Sequence, residues 1–234
     1  MSEVSVRQSV RELAGAQKTA QGVPAYTLHV NRPLGRLLAA LAHQVGLTPN
    51  HVTAASAVLT VVGAVLLAAG PPSVVRSVGA ALLLALAYAL DSADGQLARL
   101  RGGGGPVGEW FDHVVDAGKT VLVHGGVLVA AYRFTGADDR LLLLPLLFVL
   151  VGVVTFSSTL LVDLLRRSAG RPRAGAGRGG RYGAWLKLPV DFGVTCLVVA
   201  LFGTAVFWWA YGLLLLGATG YLVLHLRQAT RELA

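Results

Sequence analysis

This chain has little charge and almost no cysteine. Of its 234 residues, 14% are charged and 54% are hydrophobic, and the mean hydropathy is +0.63. A soluble domain usually carries about 25% charged residues. The one cysteine, Cys196, cannot form a disulfide within the chain. These shortages argue against a soluble globular protein and against a small disulfide-stabilised one, and they favour a membrane protein.

Two other common signatures are missing. The six histidines show no pair at metal-ligand spacing, and the polar segment MSEVSVRQSVRELAGAQKTAQG lacks the apolar core of a cleaved signal peptide. The net charge of +8 suits nucleic acid or an anionic membrane surface. The hydrophobicity favours the membrane, so we expect no nucleic-acid partner.

Six segments are apolar and long enough to cross a membrane, which takes roughly 20 residues. They are residues 52–70, 75–98, 112–133, 141–164, 188–206 and 208–226. The connections after the second and fourth segments are rich in Gly and Arg, and we expect mobile loops there. All but three of the 20 Lys and Arg residues fall on one side, which predicts that this side and both termini are cytoplasmic.

A short amphipathic helix is predicted before the first span. Pro33 suits a first helical turn, and apolar residues then recur at helical spacing: Leu34, Leu37, Leu38, Leu41 and Val45. We predict that this helix lies on the inner leaflet, and a helix packed on the bundle is the alternative. Thr48 and Pro49 are predicted as the N-cap and first turn of the first span.

These patterns predict an all-α integral membrane protein, with six transmembrane helices preceded by a cytoplasmic interfacial amphipathic helix. We divide the chain into a polar N-terminal extension, residues 1–25, and a membrane domain, residues 26–234. We expect a multi-pass protein of the cell inner membrane or plasma membrane.

Four aspartates lie where the second and third spans meet. Asp91 and Asp94 are three residues apart, and Asp112 and Asp116 are four apart, so each pair shares a helix face. A Gly-rich loop joins the two helices, which allows the pairs to meet. Because carboxylates at a membrane boundary repel one another and are costly to desolvate, a positive group must compensate them.

Divalent cations are the expected compensation. We expect Arg99 and Lys119 to be too few to compensate four carboxylates. The cations Mg²⁺, Mn²⁺ and Ca²⁺ suit carboxylate ligands. Gly95, Ala98 and Gly108 are small residues beside the cluster, and they either admit a ligand or let helices pack closely. Because the aspartates are adjacent, we favour the interpretation that these small residues admit a ligand.

Metals held by carboxylates suit phosphoryl chemistry, and one carboxylate can be spared to take a proton from an alcohol. The residues therefore indicate a membrane enzyme that acts on a phosphate-bearing substrate at the cytoplasmic face. A divalent-cation transporter is an alternative class, but transport sites tend to lie near the midplane of the membrane. A purely structural helix-pairing protein would leave the acidic cluster unexplained.

The pattern resembles the signature of the CDP-alcohol phosphotransferase family at every fixed position. It runs Asp91-x-x-Asp94-Gly95-x-x-Ala98-Arg99, eight residues, then Gly108-x-x-x-Asp112-x-x-x-Asp116. The resemblance extends over residues 30 to 226. It implies a homodimer in which a CDP-linked donor, often CDP-diacylglycerol, loses CMP and passes its remaining phosphoryl group to an alcohol.

The resemblance also implies roles for single residues. Two divalent cations, Mg²⁺ or Mn²⁺, would be bound by Asp91, Asp94 and Asp112. Asp116 would be the base for the acceptor hydroxyl and could also contact the second metal. The CDP site would be lined by Gly95, Ala98, Arg99 and Gly108, with Asn50 and Thr53 helping to shape the nucleotide pocket.

The substrates stay open at this point. The leading hypothesis is transfer of a phosphatidyl group from CDP-diacylglycerol to a small polar alcohol, and the alternative is transfer of a CDP-linked head group to diacylglycerol. The loop of residues 166–187 carries seven positive charges. Positive-inside bias and attraction to anionic lipid explain most of them, while Arg166 and Arg167 are the best candidates for a pocket that binds a phosphorylated acceptor.

Overall fold

The computed structural model describes residues 6–15, 23–170 and 183–233. All regular structure in these ranges is helical. The α-helices are α1 (Val6–Gly15), α2 (Arg32–Gln44), α3 (Pro49–Ala68), α4 (Val74–Leu100), α5 (Pro106–Phe134), α6 (Asp139–Ser168), α7 (Gly183–Leu186), α8 (Phe192–Val199) and α9 (Ala205–Leu233). A π-helical turn, Thr27–Asn31, leads into α2, and a 3₁₀ turn, Leu188–Val190, precedes α8.

Five of these helices, α3, α4, α5, α6 and α9, are long and apolar enough to cross a membrane. They confirm five of the six predicted spans, and most of them extend further than predicted. In particular, α4 continues to Leu100 and α5 begins at Pro106. The first Gly-rich connection is therefore only residues 101–105, and it holds the ends of the two helices close together.

The remaining predicted span, residues 188–206, is not one continuous helix. It is divided into the 3₁₀ turn, the short helix α8 and a series of turns before Ala205. Asp191 follows the 3₁₀ turn and is the N-cap of α8. Its Oδ1 accepts a hydrogen bond of 3.0 Å from the Gly193 N–H. Hydrophobicity predicted the apolar length of this segment, but the breaks within it were missed.

Local capping fixes where α3 begins. The Thr48 hydroxyl accepts a 3.3 Å hydrogen bond from the His51 N–H, and His51 Nδ1 accepts one from the Thr48 N–H. Pro49 fills the first turn of α3. The predicted N-cap is therefore confirmed. It places the start of α3 near the C-terminal end of α4 and the N-terminal start of α5.

Helix α2 packs on the bundle, which was the predicted alternative to a position on the inner leaflet. Its small residues Gly35, Ala39 and Ala42 are buried, and the helix packs against α4. Two leucines of the apolar row, Leu34 and Leu37, are 49% and 47% exposed. The helix is thus attached to the bundle by one face and presents leucines on another.

Helix α1 belongs to the N-terminal segment, for which the sequence predicted no structure. Leu13 of this helix is fully buried in a small core with Ala39, Val52, Ala93 and Leu97. That core lies against the end of α4 that carries the aspartates. A larger core, built around Phe148, Phe207 and Tyr211, fills the rest of the bundle.

Candidate active site

The two aspartate pairs come together between the end of α4 and the start of α5. Carboxylate oxygens of Asp91, Asp94 and Asp112 all lie within 4.8 Å of one another. One oxygen of Asp116 lies within the same distance of ligand atoms of Asp112 and His113. The helix spacing and the short connection therefore produce the convergence that the sequence predicted.

Lys119 lies within this acidic cluster. Its Nζ forms an ion pair with Asp91 of α4 and a second one, 3.0 Å long, with Asp116 one turn earlier on α5. The Lys119 side chain is only 5% exposed. One ammonium group pairs with only two of the four carboxyl groups, so oxygens remain that suit further cations.

A hydroxyl group from α3 holds the most buried of the four carboxylates. Thr53 Oγ1 donates a 2.6 Å hydrogen bond to Asp94 Oδ2, and both residues are buried. The same hydroxyl is 3.1 Å from the Pro49 carbonyl oxygen. Because the capped first turn of α3 places Thr53, the cap also orients Asp94.

A cavity of about 910 Å³ opens beside the cluster. It is lined by the start of α3, the end of α4, the connection of residues 103–105, the start of α5 and part of α6. Its walls include eight residues predicted from the sequence: Asn50, Thr53, Asp94, Gly95, Ala98, Arg99, Gly108 and Asp112. Asp91 lies one turn before Asp94 on α4, and Asp116 lies one turn after Asp112 on α5.

The small residues keep this cavity open. A Cβ atom added to Gly95 would meet only Arg99 Nη1, at 3.7 Å, so the helix surface is bare at this position. A Cβ atom on Gly108 would come within 3.2 Å of Asn50 Oδ1. Arg99 Nε is buried without a hydrogen-bond partner among the described residues. A guanidinium group beside a bare helix surface suits an anionic ligand such as a phosphate.

The sequence matches the profile of the CDP-alcohol phosphatidyltransferase family over residues 46–223, which is most of the chain. The chain belongs to this family. It is therefore a membrane enzyme of phospholipid synthesis that transfers a phosphatidyl group from a CDP-linked donor to an alcohol.

Two solved structures resemble this CDP-alcohol phosphatidyltransferase. Both are of phosphatidylinositol phosphate synthase (PgsA1) from Mycobacterium tuberculosis, each 22% identical with a TM-score of 0.61. One has CDP-DAG bound and aligns over 86% of this chain and 93% of its own. The other, in complex with manganese and citrate, aligns over 82% and 87%. The likeness establishes the fold. No curated protein matches the sequence significantly.

Arg167 of the phosphatidyltransferase lines the far wall of the cavity, on α6. It pairs with Asp163 one turn earlier and with Glu109 of α5, whose Oε1 is 2.6 Å from Nη1. The pair with Asp163 follows from helix spacing, whereas the pair with Glu109 depends on the packing of α5 against α6. Arg166 pairs with Glu232 near the end of α9, at 2.6 Å. Both arginines thus join α6 to a neighbouring helix.

Two other polar residues have clear surroundings. Asp191 is buried, and its Oδ2 accepts hydrogen bonds of 2.9 Å from the Thr27 N–H and hydroxyl. His113 packs edge-on against Phe156, and it also lies within reach of Asp112 and Asp116.

Proposed function

We propose that this enzyme transfers a phosphatidyl group from CDP-diacylglycerol to a small polar alcohol and releases CMP. The convergence of two carboxylate pairs beside an open cavity is the observation that carries the proposal. The mycobacterial relative with CDP-DAG bound supports the choice of donor. The cavity volume is in the range that suits a small-molecule ligand.

The acidic cluster fits divalent cations by its donor set and spacing. We assign two cations, Mg²⁺ or Mn²⁺, to Asp91, Asp94, Asp112 and Asp116, since closely spaced carboxylate oxygens are the ligands such ions prefer. The relative in complex with manganese supports this assignment. Bound cations would neutralise phosphate oxygens and orient the groups that react.

The nucleotide part of the donor is assigned to the wall opposite α6. Gly95, Ala98 and Gly108 leave room for a ligand at the helix surfaces, and Arg99 offers a guanidinium group to phosphate oxygens. Asn50 and Thr53 complete this wall from α3. Thr53 also donates to Asp94, so it links the nucleotide wall to the acidic cluster.

Asp116 is the proposed base for the acceptor hydroxyl. Its side chain is 32% exposed, compared with 18% for Asp91, so it is the more accessible of these two carboxylates. A carboxylate at the edge of the cluster can accept the proton when the alcohol attacks the phosphorus. Its Oδ1 accepts a hydrogen bond from Lys119 Nζ, and this bond fixes the orientation of the Asp116 carboxylate.

The decisive experiment measures CMP release from CDP-diacylglycerol with a panel of alcohols, phosphorylated and not. We expect release that depends on Mg²⁺ or Mn²⁺ and falls by about 10² to 10⁴ in Asp116→Asn, the range typical of general base catalysis. Asp139→Asn is the matched control, because Asp139 is exposed at the start of α6 and does not line the cavity. Normal turnover by Asp116→Asn would show that the base is wrongly assigned.

The same panel tests the alternative head-group transfer. If CMP appears only with a CDP-linked head group and diacylglycerol, the roles of donor and acceptor are the reverse of those proposed. A requirement for a phosphorylated alcohol would indicate that basic residues such as Arg166 or Arg167 bind the acceptor. The predicted homodimer is tested separately, by the mass of the purified protein in detergent.

We infer six membrane crossings, with residues 188–204 completing the sixth. Thr27 bonds to both Asp191 and Tyr88, whereas the Ser77 hydroxyl donates to the Phe202 carbonyl. The segment from Asp191 to Phe202 therefore runs antiparallel to α4 over roughly 16 Å, at 1.5 Å per residue. In this arrangement α9 returns to the side on which α6 ends, and α2 lies at the cytoplasmic surface with its leucines towards lipid.

A further inference from the structure

Lys119 links the two helices that supply the aspartates, yet it is not part of the family signature. Its Nζ contacts Asp91 on α4 and Asp116 on α5, so one ammonium group bridges the two acidic pairs. A lysine this deeply buried is stable only when it is paired. Both of its carboxylate partners are also residues that we assign to divalent cations.

An ammonium group and divalent cations compete for the same oxygens. When no metal is bound, Lys119 offsets the repulsion between carboxylates that lie within a few ångströms of one another. When metal enters, the same ammonium becomes a like charge beside it, and like charges repel strongly where water is largely excluded. The effect of Lys119 on the site must therefore change sign between the two states.

We propose that Lys119 is an internal counter-ion that positions Asp91 and Asp116 in the metal-free enzyme and limits the affinity for divalent cations. This inference rests on the proposed metal site. In this role Lys119 stabilises the folded bundle when no metal is bound. It also weakens metal binding, so that the carboxylates are not held too tightly by the metals to take part in the reaction. Lys119 is a positioning residue, since it acts through Asp91 and Asp116.

The test measures Mn²⁺ binding by electron paramagnetic resonance and thermal unfolding with and without Mn²⁺. Lys119→Met removes the charge at similar size, and Lys119→Gln removes it but keeps a hydrogen-bond donor. All variants are purified in Mn²⁺ and then titrated with a chelator, so that each is measured in a folded state. We expect both variants to bind Mn²⁺ roughly tenfold more tightly and to unfold at a lower temperature only when metal is absent.

Two controls isolate the charge of Lys119. Lys119→Arg retains the charge and is expected to bind Mn²⁺ with an affinity close to that of the original chain. Lys187→Met removes the other lysine of the described ranges, which lies over the Tyr221 ring, and is expected to leave Mn²⁺ binding unchanged.

Different results separate this inference from the proposed site. If Lys119→Met and Lys119→Gln bind Mn²⁺ no more tightly and lose stability equally with and without metal, Lys119 is a structural ion pair and the inference is wrong. Asp112→Asn tests the site itself and is expected to lose Mn²⁺ binding. If it binds Mn²⁺ normally, the metal assignment fails independently of Lys119.

Discussion

Asp94 is held by a hydroxyl group from a neighbouring helix, and this contact illustrates what spacing within one segment can and cannot predict. The four aspartates were found from their spacing, because residues three or four apart share a helix face. The bond from Thr53 to Asp94 joins positions 41 residues apart. The bridge from Lys119 to Asp91 spans 28 residues. Such partners depend on how helices pack, so the sequence identified the carboxylates but not the groups that orient them.

Replacement of Thr53 by valine tests the link between the nucleotide wall and the acidic cluster. Thr53→Val keeps the shape but leaves the buried Asp94 without its 2.6 Å hydrogen bond, which costs about 1–3 kcal/mol. We expect a lower unfolding temperature and a several-fold higher Mg²⁺ concentration for half-maximal CMP release. Thr53→Ser retains the hydroxyl and should behave like the original chain. Equal metal requirements in both variants would contradict an orienting role.

At the scale of helices, the sequence predicted long apolar runs well and breaks poorly. The capped start of α3 is a local feature, because Thr48, Pro49 and His51 all lie within four residues. The break before α8 has a local and a distant component, since Asp191 caps α8 through Gly193 and also bonds to Thr27, which is 164 residues earlier. The distant contact depends on how the helices pack, so the sequence alone did not reveal it.

Two adjacent glycines of α5 test how tightly the helices pack. A Cβ atom on Gly126 would lie 3.0 Å from the carbonyl oxygen of Ala64 in α3, and backbone cannot move aside cheaply. A Cβ atom on Gly125 would have no neighbour within 4 Å. We expect Gly126→Ala to destabilise the bundle by about 1–3 kcal/mol through overpacking. Gly125→Ala should be neutral or stabilising.

Thermal unfolding in detergent measures both substitutions. Both positions are glycines of α5, and both are changed to alanine. A difference in unfolding temperature between the two variants therefore reports on the contact between α3 and α5 rather than on helix propensity. If Gly125→Ala and Gly126→Ala unfold at the same temperature, these helices do not approach each other closely at Ala64.

At the scale of the whole molecule, charge and packing lead to the same arrangement. The last turns of α4, α6 and α9 carry basic residues, namely Arg99, Arg166, Arg167 and Arg231. By contrast, Arg76, Arg133 and Arg140 lie near the opposite ends of α4, α5 and α6. The pair between Arg166 and Glu232 places the last turn of α9 beside the last turn of α6. Because basic residues favour the cytoplasmic side, we expect both helices to end in the cytoplasm and the cavity to open there.

Single introduced cysteines test this orientation and the number of crossings together. The native Cys196 is 1% exposed, so it contributes little background. We expect a membrane-impermeant maleimide to label Asp139→Cys in intact cells, and to label Ser168→Cys and Thr230→Cys only after the membrane is permeabilised. The reverse pattern would invert the orientation. Labelling of Thr230→Cys together with Asp139→Cys, while Ser168→Cys stays protected, would mean that residues 188–204 do not cross. In that case the chain would have five spans, and its C-terminus would lie on the opposite side of the membrane from the active site.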